Sequence, residues 1–243
     1  MPKTRLDALL VARGLARDLK EARALVLAGQ ALSGDTLLQS AAKAMAPDAL
    51  LRVRGRRAFA SRAGAKLEAA LEDGGIDVRG LKCLDLGAST GGFTDCLLRR
   101  GAASVLCVDV GSNQLAWQLR TDPRVESREG VDYRSLSDAS LPRPLGFACA
   151  DLAFTSVKPV FARLAHWLAP GASWAVLVKP QFEALPGEVG AGGVLRDDTV
   201  RLRVLAEAEA AAAAAGLQPA GHRDSPVPGA KGNREWLLWG SRP

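Results

Sequence analysis

Histidine is almost missing from this 243-residue sequence, with only His166 and His222 present, and tyrosine occurs once. A histidine-based metal site or catalytic triad is therefore not expected. The four cysteines, Cys83, Cys96, Cys107 and Cys149, show no CxxC spacing and stand among apolar residues. They read as buried, reduced thiols, and no metal is expected. No stretch approaches 18 consecutive apolar residues, and the opening "MPKTRLDALL" lacks the apolar region of a signal peptide. The expectation is a soluble, cytoplasmic protein.

What is present is ordinary in amount but uneven in placement. Hydrophobic residues make up 48% and charged ones 24%, enough for one substantial core and a small extra module. Of the net charge of +6, residues 1–66 carry 13 Lys and Arg against 5 Asp and Glu, while the remainder is slightly acidic. A basic N-terminal segment implies a polyanionic partner, nucleic acid before membrane. Its contacts would fall on Arg5, Arg13, Arg17, Lys20 and Arg23, with Arg57 and Arg62 in the basic stretch that follows. Grips of this kind hold phosphates and carry little sequence information.

Thr4 and Asp18 are placed as helix N-caps, Asp18 with Glu21 three residues on. Helices are expected over 5–13 and 19–29, and "QALSGDTLL" and "DALLRVR" read as short strands around a turn. This predicts a small domain over 1–55, a basic linker over 56–62 and a larger domain over 63–243. In the latter, "KCLDLGA", "SVLCVDV", "GFACADLAF" and "SWAVLVKP" are apolar strands. A helix over "RAGAKLEAALEDGG" (62–75) and helices over 93–99, 113–120 and 157–168 accompany them, and alternation of this kind implies a mainly parallel, doubly covered α/β sheet. An Ala-rich helix then leads to "AGHRDSPV" and "REWLLWGS", a closing antiparallel hairpin.

The stretch "LDLGASTGGFTDCLLRRG" turns from strand to helix through a glycine-rich loop, the place where an open parallel sheet binds a ligand. Asp85, Gly87, Ala88, Ser89, Thr90, Gly91, Gly92 and Phe93 are the candidate cofactor residues of this loop. Its G-x-x-x-G-G order departs from the dinucleotide G-x-G-x-x-G, and an acid before the first glycine suits a cation better than a pyrophosphate. S-adenosylmethionine is the favoured cofactor, its amino end on Asp85, and NAD is the competitor. Asp109 closes the second strand, where a carboxylate can take both ribose hydroxyls.

Further polar groups recur at strand ends: Asp151, Lys179 and Glu235, with Lys66 on the helix entering the sheet. Two amines and two acids suit methyl transfer to an alcohol, which is a poor nucleophile until its proton is drawn away. A lysine partly buried beside a second cation can act on that proton, and the acids would orient the amines. "VKPQFE" replaces the N-P-P-Y pattern of base-amino methylation, favouring an oxygen acceptor.

With "SRAGAKL", "VDVGSNQLAWQLRTDPRV", "ADLAF" and "GNREWLLW" in the same order and spacing, these residues resemble the TlyA family along nearly the whole chain. That family comprises ribosomal RNA 2′-O-methyltransferases, also called haemolysin A, with a catalytic domain similar to the FtsJ-type enzymes. The resemblance implies a Rossmann-like class I methyltransferase sheet and a small N-terminal alpha-L (S4-like) α+β RNA-binding domain. It implies a catalytic tetrad of Lys66, Asp151, Lys179 and Glu235, and places Asp132 near the adenine. The implied substrate is a cytidine 2′-hydroxyl of ribosomal RNA in assembled subunits, 23S RNA first and 16S RNA second. Departures are Ala63-Gly64 for two glycines, Phe59 for a linker Trp, and Asp132 for Asn. The chain also ends soon after "WLLW", which inclines the expectation towards the large subunit. Two other readings stay open: a non-catalytic RNA-binding assembly factor on a degenerate fold, and a membrane-active haemolysin.

Overall fold

A computed structural model of the protein describes all residues except 1–2, 14, 17, 35, 48 and 55–58. The chain forms two compact units, Met1–Arg57 and Ala58–Pro243. Arg17, Arg57 and the first part of the expected linker, residues 56–58, lie outside the described residues.

The first unit holds β1 (Thr4–Arg5), α1 (Leu6–Ala12), α2 (Leu19–Leu27), β2 (Ala31–Ser33), β3 (Thr36–Leu37), β4 (Ala44–Met45) and β5 (Leu51–Val53). Leu6, Leu10, Ala22, Val26 and Leu38 form its core. Asp18 caps α2 as expected, accepting from the Glu21 backbone N–H at 2.8 Å. Thr4 does not cap α1, because it is paired with Met45 in the β1–β4 ladder. The free N–H groups of Leu6 and Asp7 donate instead to the carbonyls of Lys43 and Ala41, at 2.8 and 2.9 Å.

The second unit runs α3 (Ala63–Asp73), β6 (Lys82–Leu86), α4 (Gly92–Arg99), β7 (Ser104–Asp109), α5 (Trp117–Arg120), β8 (Val125–Glu129), β9 (Leu145–Ala150) and α6 (Lys158–Trp167). It continues through β10 (Leu168–Val178), α7 (Pro180–Glu183), α8 (Asp198–Ala214), β11 (Gln218–Asp224) and β12 (Trp236–Ser241). Seven strands form one sheet in the order β11-β12-β10-β9-β6-β7-β8. Pairing is parallel from β10 to β8, and β12 is antiparallel to both β10 and β11.

Both faces of the sheet are covered, as its side chains require. Along β10, Trp174, Val176 and Val178 join Phe161, Leu164 and Val204 on one face. Ala175 and Leu177 join Leu67, Leu71 and Leu97 on the other. The same period-two division sends Leu84 and Leu86 one way and Cys83 the other. Such strands have no polar face, hence their unbroken apolar sequences. Among the described residues, no helix is long and apolar enough to cross a membrane.

Two elements depart from expectation. The helix expected over 113–120 forms only as α5, because the Gln114 and Leu115 N–H groups donate to the Glu129 carboxylate at 2.7 and 3.0 Å. The strand β8, "VESRE", has no apolar signature because it is a charged edge strand beside β7.

Asp85 is the one acid wholly enclosed in this sheet, at 0% exposure. It accepts a 2.6 Å hydrogen bond from Thr94 Oγ1 of α4, with the Cys149 thiol nearby. Burial, and secondarily the charge of Asp151, push its carboxyl up to about 7 against the Thr94 bond, which lowers it. The folded chain thus keeps this proton up to about pH 7, whereas an unfolded one releases it near 4. Between those values the folded state binds more protons, so this group's contribution to stability falls as pH rises. Asp85→Asn, which mimics the protonated form, should gain stability relative to the parent from pH 4.5 to 7.5, by on the order of 3 kcal/mol. Urea unfolding at several pH values measures this; a pH-independent difference would contradict it.

Candidate active site

A cavity of about 470 Å³ opens at the carboxyl edge of β6, β7 and β9, and Gly87, Ser89, Asp109, Gln114, Asp132 and Asp151 stand in its wall. Its floor depends on one backbone feature. Gly87 has φ +80°, and a side-chain carbon there would lie 2.5 Å from the Asp151 carbonyl oxygen. Only glycine lets β6 turn away beneath β9 at this point.

The other loop residues are divided between wall and support. Ser89 is exposed on the cavity, and its backbone N–H donates to Asp109 Oδ2 at 2.8 Å. Thr90 is exposed but outside the wall. Ala88 and Phe93 are core residues. Gly91, at φ +90°, passes against Leu115 and Leu119. At Gly92 a side-chain carbon would meet Ser61 Oγ at 2.2 Å and the Gly64 nitrogen at 2.9 Å, so this glycine serves the packing of α4 on the start of α3. Asp85 does not reach the cavity, which corrects its expected contact with the cofactor's amino end: its carboxylate is held inward by Thr94. The carboxylate on that side of the wall is Asp151.

The donor set fits S-adenosylmethionine. Asp109 takes two backbone N–H groups, from Ser89 and from Gly111 at 2.7 Å. A carboxylate has about four lone-pair sites, so capacity remains for two ribose hydroxyls. Asp151 also brings a carboxylate to the cavity wall, with Oδ1 buried against Lys179 Nζ at 2.6 Å. Asp132 also lines the cavity, but Arg134 engages its carboxylate and holds it down at about 2. Gln114, whose Oε1 accepts from Ser89 Oγ at 3.1 Å, is a wall residue the sequence reading did not single out. The "QLAW" stretch was its available signal.

At the same sheet edge stand two amine–carboxylate pairs. Asp151 follows β9 by one residue, Lys179 follows β10 by one, and Glu235 precedes β12 by one. Because β12 runs antiparallel, with Val178 opposite Trp236, its beginning lies at the end of β10. Lys179 and Glu235 are therefore one step beyond a shared rung, with backbones roughly 5 Å apart. Lys179 Nζ is 2.6 Å from Asp151 Oδ1, and both side chains are mostly buried. Lys66 reaches up from α3 to place Nζ 2.6 Å from Glu235 Oε2, with both side chains under a tenth exposed. Gly229 makes room there, since a side-chain carbon would lie 2.0 Å from Glu235 Oε1. Buried charges of this kind persist only when paired.

The basic residues are less uniform. In the first unit, Arg5 and Arg23 both bind the buried Asp7 carboxylate, at 2.8 and 3.0 Å, while keeping more than half of their side chains exposed. Arg13 donates to the carbonyls of Pro47 and Ala49. Lys20 is exposed on α2. In the second unit, Arg62 is exposed at the start of α3. Phe59 packs against Gly64 beneath the Arg99 guanidinium, 5.3 Å from its ring centre.

The model of the FtsJ-like methyltransferase family matches residues 59–242. The 16S/23S rRNA (cytidine-2′-O)-methyltransferase TlyA of Mycobacterium tuberculosis is 42% identical over 239 residues, 98% of this chain and 89% of that protein. Hemolysin A of Brachyspira hyodysenteriae is 36% identical over 96% of this chain and 98% of its own length. The solved structure of a candidate hemolysin from Streptococcus thermophilus superposes with a TM-score of 0.74 and 35% identity, covering 100% of this chain and 89% of that one. The cofactor is S-adenosylmethionine, whose donor groups the cavity wall accommodates. A methyltransferase sheet, the cavity at its carboxyl edge and relatives matched along almost the whole length place this chain in the TlyA family of FtsJ-like methyltransferases.

Proposed function

We propose that this chain transfers a methyl group to the 2′-hydroxyl of a cytidine in ribosomal RNA, acting in the cytoplasm on assembled subunits. The observation that carries the reading is the sharing of one sheet edge by the cofactor cavity and two buried amine–carboxylate pairs. When bound, S-adenosylmethionine supplies an electrophilic methyl on a sulfonium. The residues of the chain supply position and control of a proton.

In this reading Lys179 meets the ribose hydroxyl and draws on its proton, and Asp151 fixes the direction of that amine. Lys66 and Glu235 form the neighbouring wall, the carboxylate of one pair limiting repulsion between the two amines. A hydroxyl so held sits in a low-dielectric setting, where alignment and exclusion of water contribute much of the rate. Asp109 and the loop 87–92 hold the ribose and methionine portions of the donor, and Asp132 lies towards the base.

The Met1–Arg57 unit is read as the RNA-binding module, on its basic excess and exposed Lys20. Arg13, Arg62 and the outer faces of Arg5 and Arg23 contribute, and Arg17 and Arg57 belong to the same set by sequence. The relative from Mycobacterium tuberculosis is named for both 16S and 23S RNA, so both subunits are candidate substrates.

Lys179→Ala should lower methyl transfer to ribosomal subunits by on the order of 10²–10⁴-fold while leaving donor affinity nearly intact by calorimetry. Retained turnover would refute its role. Lys20→Ala should flatten the plot of log affinity for ribosomal RNA against log salt by roughly 0.7–0.9, the release expected of one phosphate contact. An unchanged slope would count against α2 as a gripping element.

A further inference from the structure

Glu183 ends the "VKPQFE" stretch and touches neither amine of the site. Its carboxylate reaches from α7 to the segment between Asp151 and α6. Glu183 Oε2 accepts from Ser156 Oγ at 2.6 Å, and Oε1 accepts from the Val157 backbone N–H, also at 2.6 Å. The Ser156 hydroxyl has its direction fixed, because it accepts from the Lys158 N–H at 3.2 Å while donating to Glu183. A second contact joins the same two segments: the rings of Phe154 and Phe182 lie 5.4 Å apart at 48°. Phe154 has φ +61° and is largely exposed, with the Phe182 ring as its neighbour.

Each of these segments begins with one member of the Lys179–Asp151 pair. Sheet hydrogen bonding reaches as far as the pair itself, through the Asp151 N–H on the Leu86 carbonyl at 2.9 Å and the Val178–Trp236 rung, and the segments beyond have none. Past the pair, the Glu183 bridge and the ring contact tie the two segments to each other.

We propose that Glu183 is a positioning residue for methyl transfer, latching the 151–157 segment to α7 so that Asp151 and Lys179 keep their ion-pair geometry. The inference rests on the reading that this pair serves the reaction, and it separates from that reading by experiment. If Glu183 only capped α6, its loss would lower stability without altering Lys179. If it sets the pair, its loss frees Lys179 specifically. Glutamine can replace it, since its carbonyl accepts from Val157 and its amide can donate to the second lone pair of Ser156. The latch therefore needs shape and hydrogen bonding more than charge.

The test compares Glu183→Ala and Glu183→Gln with the parent by two readouts. The first, on the cofactor-free full-length chain, is the rate at which limiting acetic anhydride modifies Lys179, followed by peptide mass spectrometry with Lys66 as internal reference. The second is single-turnover methyl transfer to ribosomal subunits. The expected result for Glu183→Ala is several-fold faster modification of Lys179 with Lys66 unchanged, and a rate lower by on the order of 10- to 100-fold. In Glu183→Gln both should return most of the way. Parent-like modification of Lys179 in Glu183→Ala overturns the proposal, as does a glutamine variant as impaired as alanine. Should Lys66 also become more reactive in Glu183→Ala, the variant has loosened as a whole, and Ser156→Ala, which removes one bond, decides by the same two readouts. A parent without methyl transfer would overturn the functional reading, and the modification rates would then decide the latch alone.

Discussion

The reversal of β12 against β10 is the constraint on which the site depends. Parallel strands bring only their ends to the cofactor edge, so Asp151 and Lys179 arrive there from β9 and β10 as a matter of direction. Glu235 stands before a strand, and only antiparallel pairing brings a beginning to the same edge. The register fixes the result further, because a slip of one residue would reverse every β12 side chain across the sheet. Leu237 would then leave the face it shares with Leu67 and Leu177. Hydrophobic packing on two faces thus holds a carboxylate in place at the edge, and Lys66 on α3 rises to meet it.

Burial decides what this set of charges can do. Two amines exposed to water would hold to their surroundings weakly and adopt many rotamers. Enclosed and paired at 2.6 Å, each amine has one partner and one direction. The same enclosure acts differently on Asp85, which meets the hydroxyl and N–H of Thr94 and the Cys149 thiol, and burial keeps its proton in place to near neutrality. Of the three acids nearest the loop, Asp109 is satisfied by backbone N–H groups, Asp151 by Lys179, and Asp85 by protonation.

Much of this was legible in the sequence, for reasons specific to the elements concerned. The strands β6, β7, β9 and β10 are apolar because both faces are covered, and their ends carry the polar residues because only the edge is open. The glycine loop announced a close approach, although its glycines divide the work: Gly87 shapes the cavity floor, while Gly92 allows α4 to pack on α3. What sequence could not convey was the facing of individual side chains. Asp85 and Phe93 sit in the motif yet point into the core, since alternation along β6 and the turn of α4 send them there. Thr4 had the chemistry of a cap but was taken by a strand pairing, and "VESRE" hid an edge strand behind its charges. Glu183 was visible as a letter of a motif, and its partners, 26 and 27 residues away in sequence, were not.

The position of the transferred methyl tests the central claim most directly. Ribosomal subunits from a strain lacking this gene would be incubated with the purified chain and methyl-labelled S-adenosylmethionine, and the RNA digested to nucleosides for mass spectrometry. An edge that sets paired amines and carboxylates beside the donor cavity predicts label in 2′-O-methylcytidine. Label on a base nitrogen or carbon, or none on any nucleoside with active donor present, would contradict it.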